Sequence, residues 1–165
     1  YYNLGLVDQA LDKPEAAVTA FQAALRLAPT HPRALYRLGT AYGATGQLDA
    51  AIGVFQRLVD TNPQMAEGHY NLGVAYNAQH NYAGAVREFM AVVHLRPDDA
   101  EAFTNLGLAY KNAGRVEEAI GALRRAVALQ PDYALAYYNL GQAYTAINEI
   151  ALAVQAFRTY EELAK

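Results

Sequence analysis

Two pairs of side chains in this chain of 165 residues, one of which recurs, have the chemistry to hold another polypeptide. A tyrosine followed by an asparagine occurs at Tyr2 and Asn3, and similar pairs return at 34-residue intervals. Tyrosine offers contact area with little loss of entropy, and the asparagine amide both donates to and accepts from a peptide backbone. A second pair, Arg33 and Arg37, stands four residues apart. Like charges at that helical spacing are mildly destabilising, so a bound anion would relieve them.

Residues that catalyse reactions or bind metals do not occur in recognisable arrangements. The chain has no cysteine and no His-Glu-x-x-His sequence, and its histidines show no i, i+4 pair for a metal. The glycines at Gly39, Gly43 and Gly46 have the wrong spacing for a phosphate-binding loop. Acidic pairs such as Asp98 and Asp99 fall at helix starts or on solvent faces. We therefore expect a protein that is not an enzyme and that uses no cofactor or metal.

The elements that position these residues repeat with the same period. The recurring glycines are Gly5, Gly39, Gly73, Gly107 and Gly141, and the recurring prolines are Pro29, Pro63, Pro97 and Pro131. A fixed period of this length indicates supersecondary units that stack on their neighbours to bury a continuous core. The function of such a chain belongs to a surface.

Each repeat contains two amphipathic helices, judged by the spacing of its apolar residues. Between residues 34 and 45, and again between 50 and 59, apolar side chains hold one helical face. A residue that tolerates positive φ separates the two helices, which predicts a left-handed turn and an antiparallel pair. These residues are Asp12, Gly46, His80, Gly114 and Asn148. The recurring proline ends the second helix, and we expect Gly39 to lie against Ala51 where the paired helices cross.

This pattern resembles the tetratricopeptide repeat. The resemblance is clearest in YYNLGQAY from Tyr137 and AFTNLGLAY from Ala102, and it covers the whole chain, with repeats near 1–31, 32–65, 66–99, 100–133 and 134–165. The departures from the pattern are Asp8, His69, Tyr160 and Glu161. The resemblance implies an all-α fold, an α-solenoid of antiparallel helix pairs stacked into a right-handed superhelix, as a single array.

The resemblance also implies where a protein or peptide ligand binds. In this family the first helix of each repeat lines a concave groove, and the residues two and three before the glycine and one after it point into that groove. The groove residues implied in this way are Tyr2, Asn3, Tyr36, Arg37, Tyr70, Asn71, Asn105, Tyr138, Asn139 and Gln142. Arg33 lies four residues before Arg37 on the same helix and therefore faces the groove as well. The alternative is that tyrosine and asparagine at these places improve packing between helices.

Arg33 and Arg37 allow a sharper interpretation within the family. Chaperone-binding members hold a carboxylate between an asparagine of one repeat and basic residues two and six before the glycine of the next. Asn3, Arg37 and Arg33 match those places, while the remaining clamp residues would lie before Tyr1. The competing interpretation, which we prefer, is that Arg37 pairs with Glu67, which stands in the first helix of the next repeat at the place equivalent to Arg33.

Two alternatives to a binding scaffold stay open. Asn3, Asn71, Asn105 and Asn139 resemble the asparagine ladder in the arm of O-linked N-acetylglucosamine transferase, although Arg37 interrupts it. The chain would then be the substrate-recognition arm of a larger, glycosyltransferase-like enzyme. Alternatively it is a self-assembling scaffold whose uncapped ends accept another copy, because the first helix lacks its start and no capping helix follows the last repeat. The same observation leads us to expect a fragment of a longer protein.

Charge and hydropathy narrow the class of partner. A net charge of −3 argues against nucleic acid as the main partner, because phosphates need a basic stripe. No apolar run approaches the length of a membrane helix and no signal-peptide pattern is present. We therefore expect no direct membrane insertion and a soluble, cytoplasmic protein, and the preference for arginine and alanine over lysine and isoleucine indicates a bacterial source.

Overall fold

The computed structural model describes residues 1–165 and contains ten helices and no strand. The helices are α1 (Tyr2–Ala10), α2 (Pro14–Leu27), α3 (Pro32–Ala44), α4 (Leu48–Thr61), α5 (Ala66–Ala78), α6 (Tyr82–Leu95), α7 (Ala100–Asn112), α8 (Val116–Leu129), α9 (Ala134–Ala146) and α10 (Ile150–Leu163). These bounds confirm the predicted all-α fold with two helices in each repeat. The chain forms two compact units, unit 1 (Tyr1–Gln79) with α1 to α5 and unit 2 (His80–Lys165) with α6 to α10.

The turn inside each repeat has the predicted left-handed residue. The φ angles are 54° at Asp12, 72° at Gly46, 59° at His80, 77° at Gly114 and 61° at Asn148. Around Gly46, the Gln47 backbone N–H donates to the Tyr42 carbonyl oxygen at 2.9 Å, which satisfies a carbonyl that the helix end would leave unpaired. The equivalent bond joins Arg115 to Tyr110 in unit 2, also at 2.9 Å. One turn geometry is therefore used throughout the chain.

The recurring prolines end the second helices as expected. Helix α2 ends two residues before Pro29, and α4 ends two residues before Pro63. The residue directly before each of these prolines has left the helical region, with φ −135° and ψ 82° at Ala28 and φ −139° and ψ 67° at Asn62. The clash between a proline ring and a helical predecessor explains this common ending.

The core of unit 1 is built on the recurring glycine and a phenylalanine on the second helix of the same repeat. A Cβ placed on Gly39 would lie 2.5 Å from Cε1 of Phe55, and one placed on Gly5 would lie 2.5 Å from Cε1 of Phe21. The three atoms nearest to Gly39 all belong to the Phe55 ring. The expected contact with Ala51 is thus not the tightest one, although Ala51 is buried. The glycine makes a notch for an aromatic ring.

The core of unit 2 follows the same plan, with Phe157 against Gly141 and a smaller leucine against Gly107. A Cβ on Gly107 would lie 2.6 Å from Leu123 Cγ and 3.2 Å from the carbonyl oxygen of Ala119, so here the two helix backbones do approach closely. Leu123 is fully buried and packs in one cluster with Leu140. None of the ten helices combines the length and the apolar content that a membrane span requires.

Candidate functional site

The tyrosines three residues before the recurring glycine pack on the phenylalanine that fills the glycine notch. Ring centroids lie 5.9 Å apart for Tyr2 and Phe21, 6.5 Å for Tyr36 and Phe55, and 6.0 Å for Tyr138 and Phe157. Tyr2, Tyr36 and Tyr70 are half-buried, whereas Tyr138 is 38% exposed. The row therefore contributes to packing within the helix pairs and leaves part of each ring exposed to solvent.

Two of the four asparagines that stand two residues before the glycine bond to their own helices. Asn71 Nδ2 donates to the Glu67 carbonyl oxygen at 2.8 Å, and Asn139 Nδ2 donates to that of Leu135 at 2.9 Å. Asn3 is exposed and Asn105 is half-buried, but Asn139 is only 5% exposed. Asn139 thus agrees better with the packing alternative than with ligand binding.

Arg33 and Arg37 are both exposed on α3. The Arg37 guanidinium carbon lies 5.9 Å from the ring centroid of its neighbour Tyr36, at the outer limit of a cation–π contact. Glu67 on α5 is half-buried and already takes part in an interaction. The pairing of Arg37 with Glu67 stays a prediction, while the exposed arginines give this part of α3 a positive charge.

Between α3 and α5, a cleft of about 310 Å³ opens on the surface of unit 1. We call it the α3/α5 cleft, and its walls are Gly39, Thr40, Gly43, Leu48, Ala51, Phe55, Asn71, Val74, Ala75 and Ala78. Three of these residues (Thr40, Asn71 and Val74) stand at the places that the resemblance assigned to the groove. The Val74 side chain is 44% exposed although it is apolar. The cleft is thus a mostly apolar recess bordered by amide and hydroxyl groups.

The equivalent place in unit 2 is crossed by a hydrogen bond. Lys111 on α7 corresponds to Gly43, and Gln142 on α9 corresponds to Val74, each two repeats later. Lys111 Nζ donates to Gln142 Oε1 across the two helices. Burial lowers the pKa of Lys111, because desolvation disfavours its charged form. The predicted site residue Gln142 is therefore already engaged by a neighbouring helix.

Sequence reasoning missed most of the cleft. Gly43 and Ala78 stand outside the predicted groove places, and Gly43 was considered only as part of a phosphate loop. Val74 stands at a groove place but was not among the predicted site residues. A signal was present, since a glycine inside α3 at a place without a recurring glycine indicates either a close approach or an open recess. No atom within the chain would lie within 4 Å of a Cβ at Gly43. The recess explanation fits this observation.

On the other side of the first helices, the tyrosine three residues after the glycine contacts the preceding repeat. Gln22 Nε2 donates to Tyr42 Oη at 2.6 Å, and Tyr76 Oη donates to Gln56 Oε1 at 3.2 Å. Tyr110 in this row is largely buried, at 9% exposed, whereas Tyr42 and Tyr76 are half-buried. The hydroxyl groups tie successive repeats together.

Two larger clefts in unit 1 have less to offer a ligand. One, of about 470 Å³, lies between α2 and α4, where Gln22 is bonded to Tyr42 and Arg57 donates to the Pro29 carbonyl oxygen at 2.6 Å. The other, of about 490 Å³, lies along α1 and α2 beside the exposed side chain of Tyr1. The described residues form no group of three or more acidic or histidine side chains that could hold a metal. The α3/α5 cleft is thus suited to binding a ligand through apolar contacts and hydrogen bonds.

Comparison with known families and structures agrees with this geometry. The sequence profile of the tetratricopeptide repeat matches residues 2–66 and 36–100, a TPR repeat profile matches 112–148, and a further tetratricopeptide repeat profile matches 134–165. No curated protein matches the chain significantly.

Solved structures of MamA are similar to the chain over nearly its whole length. A crystal structure of MamA has a TM-score of 0.94 and 26% identity, covering 99% of this chain and 96% of that chain. MamA from the bacterium Desulfovibrio magneticus RS-1, from residue 41 to its end, has a TM-score of 0.92 and 27% identity, covering 98% of this chain and 92% of that chain. The matched residues, the helix pairs and these structures together show that the chain belongs to the tetratricopeptide repeat family.

Proposed function

We propose that the protein is a non-catalytic scaffold that binds a peptide or a partner's extended segment on the first helices of its repeats. The fold is consistent with a protein-interaction scaffold, because the resemblance and the solved relatives both point to a tetratricopeptide array. The observation that carries the proposal is the α3/α5 cleft, which lies on the first helices and includes Thr40, Asn71 and Val74.

The surroundings of the cleft support a polypeptide as its ligand. Asn71 uses one amide N–H within α5, which leaves a second N–H and an oxygen for a backbone that passes over it. Half-buried Tyr36 and Tyr70 supply contact area near the N-terminal halves of α3 and α5. An extended backbone needs spaced donors and acceptors, and apolar recesses between them give the side chains specificity.

A random peptide library displayed on phage tests the proposal and does not require the partner to be identified first. We expect selection on the intact chain to enrich a family of related peptides, and synthetic copies to lose binding at least tenfold when Val74 is changed to glutamate. The matched control is Val154→Glu, because Val154 on α10 is 45% exposed and Val74 is 44% exposed. Circular dichroism should show that both variants keep their helices.

The outcome that contradicts the proposal is equally concrete. If selection yields no peptide that binds in solution, or if Val74→Glu and Val154→Glu change affinity equally, the first helices are not the binding surface. The alternative of a glycosyltransferase-like recognition arm gains no support from Asn139, which is buried and bonded to its own helix, whereas exposed Asn3 leaves it open.

Association between copies of the chain is a second candidate. The apolar side chains of Leu4 and Val7 on α1 are 51% and 53% exposed, and that of Ile150 on α10 is 54% exposed. Exposed apolar residues that are neighbours on a helix favour contact with another surface. Light scattering should then show a mass that rises with concentration and returns to that of the monomer in Leu4→Glu or Ile150→Glu. A constant monomer mass at every concentration excludes it.

A further inference from the structure

We propose that the α3/α5 cleft is an anchor pocket for one large apolar side chain of the bound segment, and that an acidic residue of the same segment lies beside Arg33 and Arg37. This inference rests on the proposed function and goes further by giving the chemistry of the ligand: an extended peptide with a leucine or an aromatic residue about three positions from an aspartate or a glutamate.

The dimensions of the cleft suit one large side chain. Gly39 and Gly43 on one wall and Ala75 and Ala78 on the other have little or no side chain, so the two helices leave about 310 Å³ between them. A cavity of about 150 Å³ is enough to hold a benzene molecule. Phe55, which is 4% exposed, closes the floor. A leucine or phenylalanine therefore fits and would bury apolar surface that is now in contact with water.

Gly43 has no other role that its surroundings explain. A glycine inside a helix lowers stability by roughly 0.5–1 kcal/mol relative to alanine. At Gly39 the Phe55 ring requires it, but at Gly43 a Cβ would meet nothing within 4 Å. Packing inside the chain therefore does not require the glycine. Its missing side chain does widen the cleft that it lines.

Unit 2 shows how the same place looks when it is closed. There, Lys111 and Gln142 replace Gly43 and Val74, and the hydrogen bond between them spans the gap between α7 and α9. Leu108, Val116 and Leu123 also replace the cleft residues Thr40, Leu48 and Phe55, but Lys111 and Gln142 are the two that join the facing helices. The chain thus contains an open and a closed version of one site.

The charges around the cleft favour an acidic residue at one end. Arg33, Arg37, Thr40 and Gly43 follow each other at spacings of four, three and three residues, so they lie along one face of α3. At 1.5 Å per residue, Arg37 is about 9 Å from Gly43 along the helix, which an extended peptide covers in about three residues. The positive N-terminal end of α3 adds to the two cations.

The acidic side chains near this surface do not cancel that preference. Glu67, on α5 at the place equivalent to Arg33, carries one negative charge against the two positive charges of α3 and is already engaged. Asp49, at the start of α4, accepts a hydrogen bond from Gln79 beyond the C-terminal end of α5. The acidic residue of the bound peptide should therefore lie toward the N-terminal end of α3 and its apolar residue toward the C-terminal end.

The test uses fluorescein-labelled ten-residue peptides of serine and glycine that carry one glutamate and, three residues later, leucine, phenylalanine or alanine, together with the reversed orders. Fluorescence anisotropy gives the affinities, and amide chemical shifts of the isotope-labelled protein locate the contact. We expect the leucine or phenylalanine peptide of one order to bind at least tenfold more tightly than its alanine version, with shifts at Gly43, Val74 and Ala75.

Two sets of variants separate the anchor from the charge. Gly43→Lys with Val74→Gln copies the Lys111 and Gln142 pair of unit 2, and it should reduce affinity at least tenfold although it adds a positive charge. Its control is Gly53→Lys with Val154→Gln, since Gly53 is also a helical glycine with nothing within 4 Å of its Cβ. Arg33→Gln with Arg37→Gln should weaken binding severalfold and make the remaining affinity less sensitive to salt.

Different results overturn different parts. The anchor pocket is refuted if the leucine, phenylalanine and alanine peptides bind equally, or if Gly43→Lys with Val74→Gln leaves the affinity unchanged. The proposed scaffold still stands in that case if library peptides bind and Val74→Glu weakens their binding. If none of the designed peptides binds at millimolar concentration, the inference fails. If no library peptide binds either, the proposed function fails with it.

Discussion

Replacing Gly39 with alanine sets two effects of opposite sign against each other. Alanine in a helix is favoured over glycine by roughly 0.5–1 kcal/mol, because the unfolded chain loses less freedom. The new methyl group, however, would lie 2.5 Å from Phe55 Cε1 and 2.6 Å from Cζ. Carbon atoms prefer a separation of about 3.5–4.0 Å. The ring or the helix must therefore move by about 1 Å.

The size of the penalty follows from how well the ring is held. Phe55 is 4% exposed, and its ring also packs against that of Tyr36 in an edge arrangement with centroids 6.5 Å apart. Overpacking of this kind typically destabilises by about 1–3 kcal/mol. Gly53 on α4 supplies the matched control, because its Cβ would meet nothing within 4 Å. We expect Gly53→Ala to stabilise by roughly 0.5–1 kcal/mol and Gly39→Ala to be less stable than Gly53→Ala by about 1–3 kcal/mol.

Thermal unfolding followed by circular dichroism measures the difference, at roughly 2–4 °C for each kcal/mol in a chain of this length. A double-mutant cycle then identifies the cause: in a Phe55→Ala background, the Gly39→Ala change should become stabilising. If Gly39→Ala and Gly53→Ala shift the melting temperature equally, or if the Phe55→Ala background leaves the effect unchanged, the ring does not explain the glycine.

Four further substitutions test the turns and the charged side chains. Asp12→Gly should raise the free energy of unfolding and Gly114→Ala should lower it, each by about 1 kcal/mol, because both residues have positive φ; equal effects in urea titrations would contradict this. A hydrogen bond from Arg115 lowers the pKa of Glu118, so the stability that Glu118 contributes is complete above the unfolded pKa of about 4.3 and is lost as pH falls through the lower folded value. The loss of stability at low pH should be small in the wild type, because both side chains are exposed, and it should be absent from the pH profile of Glu118→Gln. Burial lowers the pKa of Lys111, so wild-type stability relative to Lys111→Met should rise as pH increases from the folded pKa toward about 10.4; a pH-independent difference would argue against burial as the cause.

The sequence predicted those features that depend on residues close together in the chain. The helices follow from apolar spacing, the left-handed turn follows from residues such as Gly46, and the ends of α2 and α4 follow from Pro29 and Pro63. Each depends on local backbone sterics, which a sequence shows directly.

The contact partners were harder to predict. Spacing places Gly39 and Ala51 on facing sides of two helices, but the rotation of those helices decides that the Phe55 ring lies closest. The depth of Asn139 likewise depends on neighbouring side chains and differs from that of exposed Asn3. Periodicity assigns a face, and only packing assigns the depth of a residue within it.

The α3/α5 cleft was also hard to predict, because it depends on residues that are far apart in the chain. It exists because Gly43 and Val74, which belong to different repeats, are both small enough to leave space. A repeat-by-repeat comparison treats each as a minor deviation within its own repeat. Only the pairing of successive first helices reveals that the two deviations coincide, as do Lys111 and Gln142 in unit 2.

The order of contacts along the chain has a consequence for synthesis on the ribosome. In unit 1, α1 packs on α2, α2 on α3, α3 on α4 and α4 on α5, so each helix meets one made just before it. Translation at about 5–20 residues per second takes roughly 2–7 s for one repeat, while helical proteins with local contacts fold within microseconds to milliseconds. A nascent repeat therefore has time to dock on its predecessor before the next one leaves the exit tunnel. The apolar surface at the end of the growing chain is then exposed only until the following helix is made.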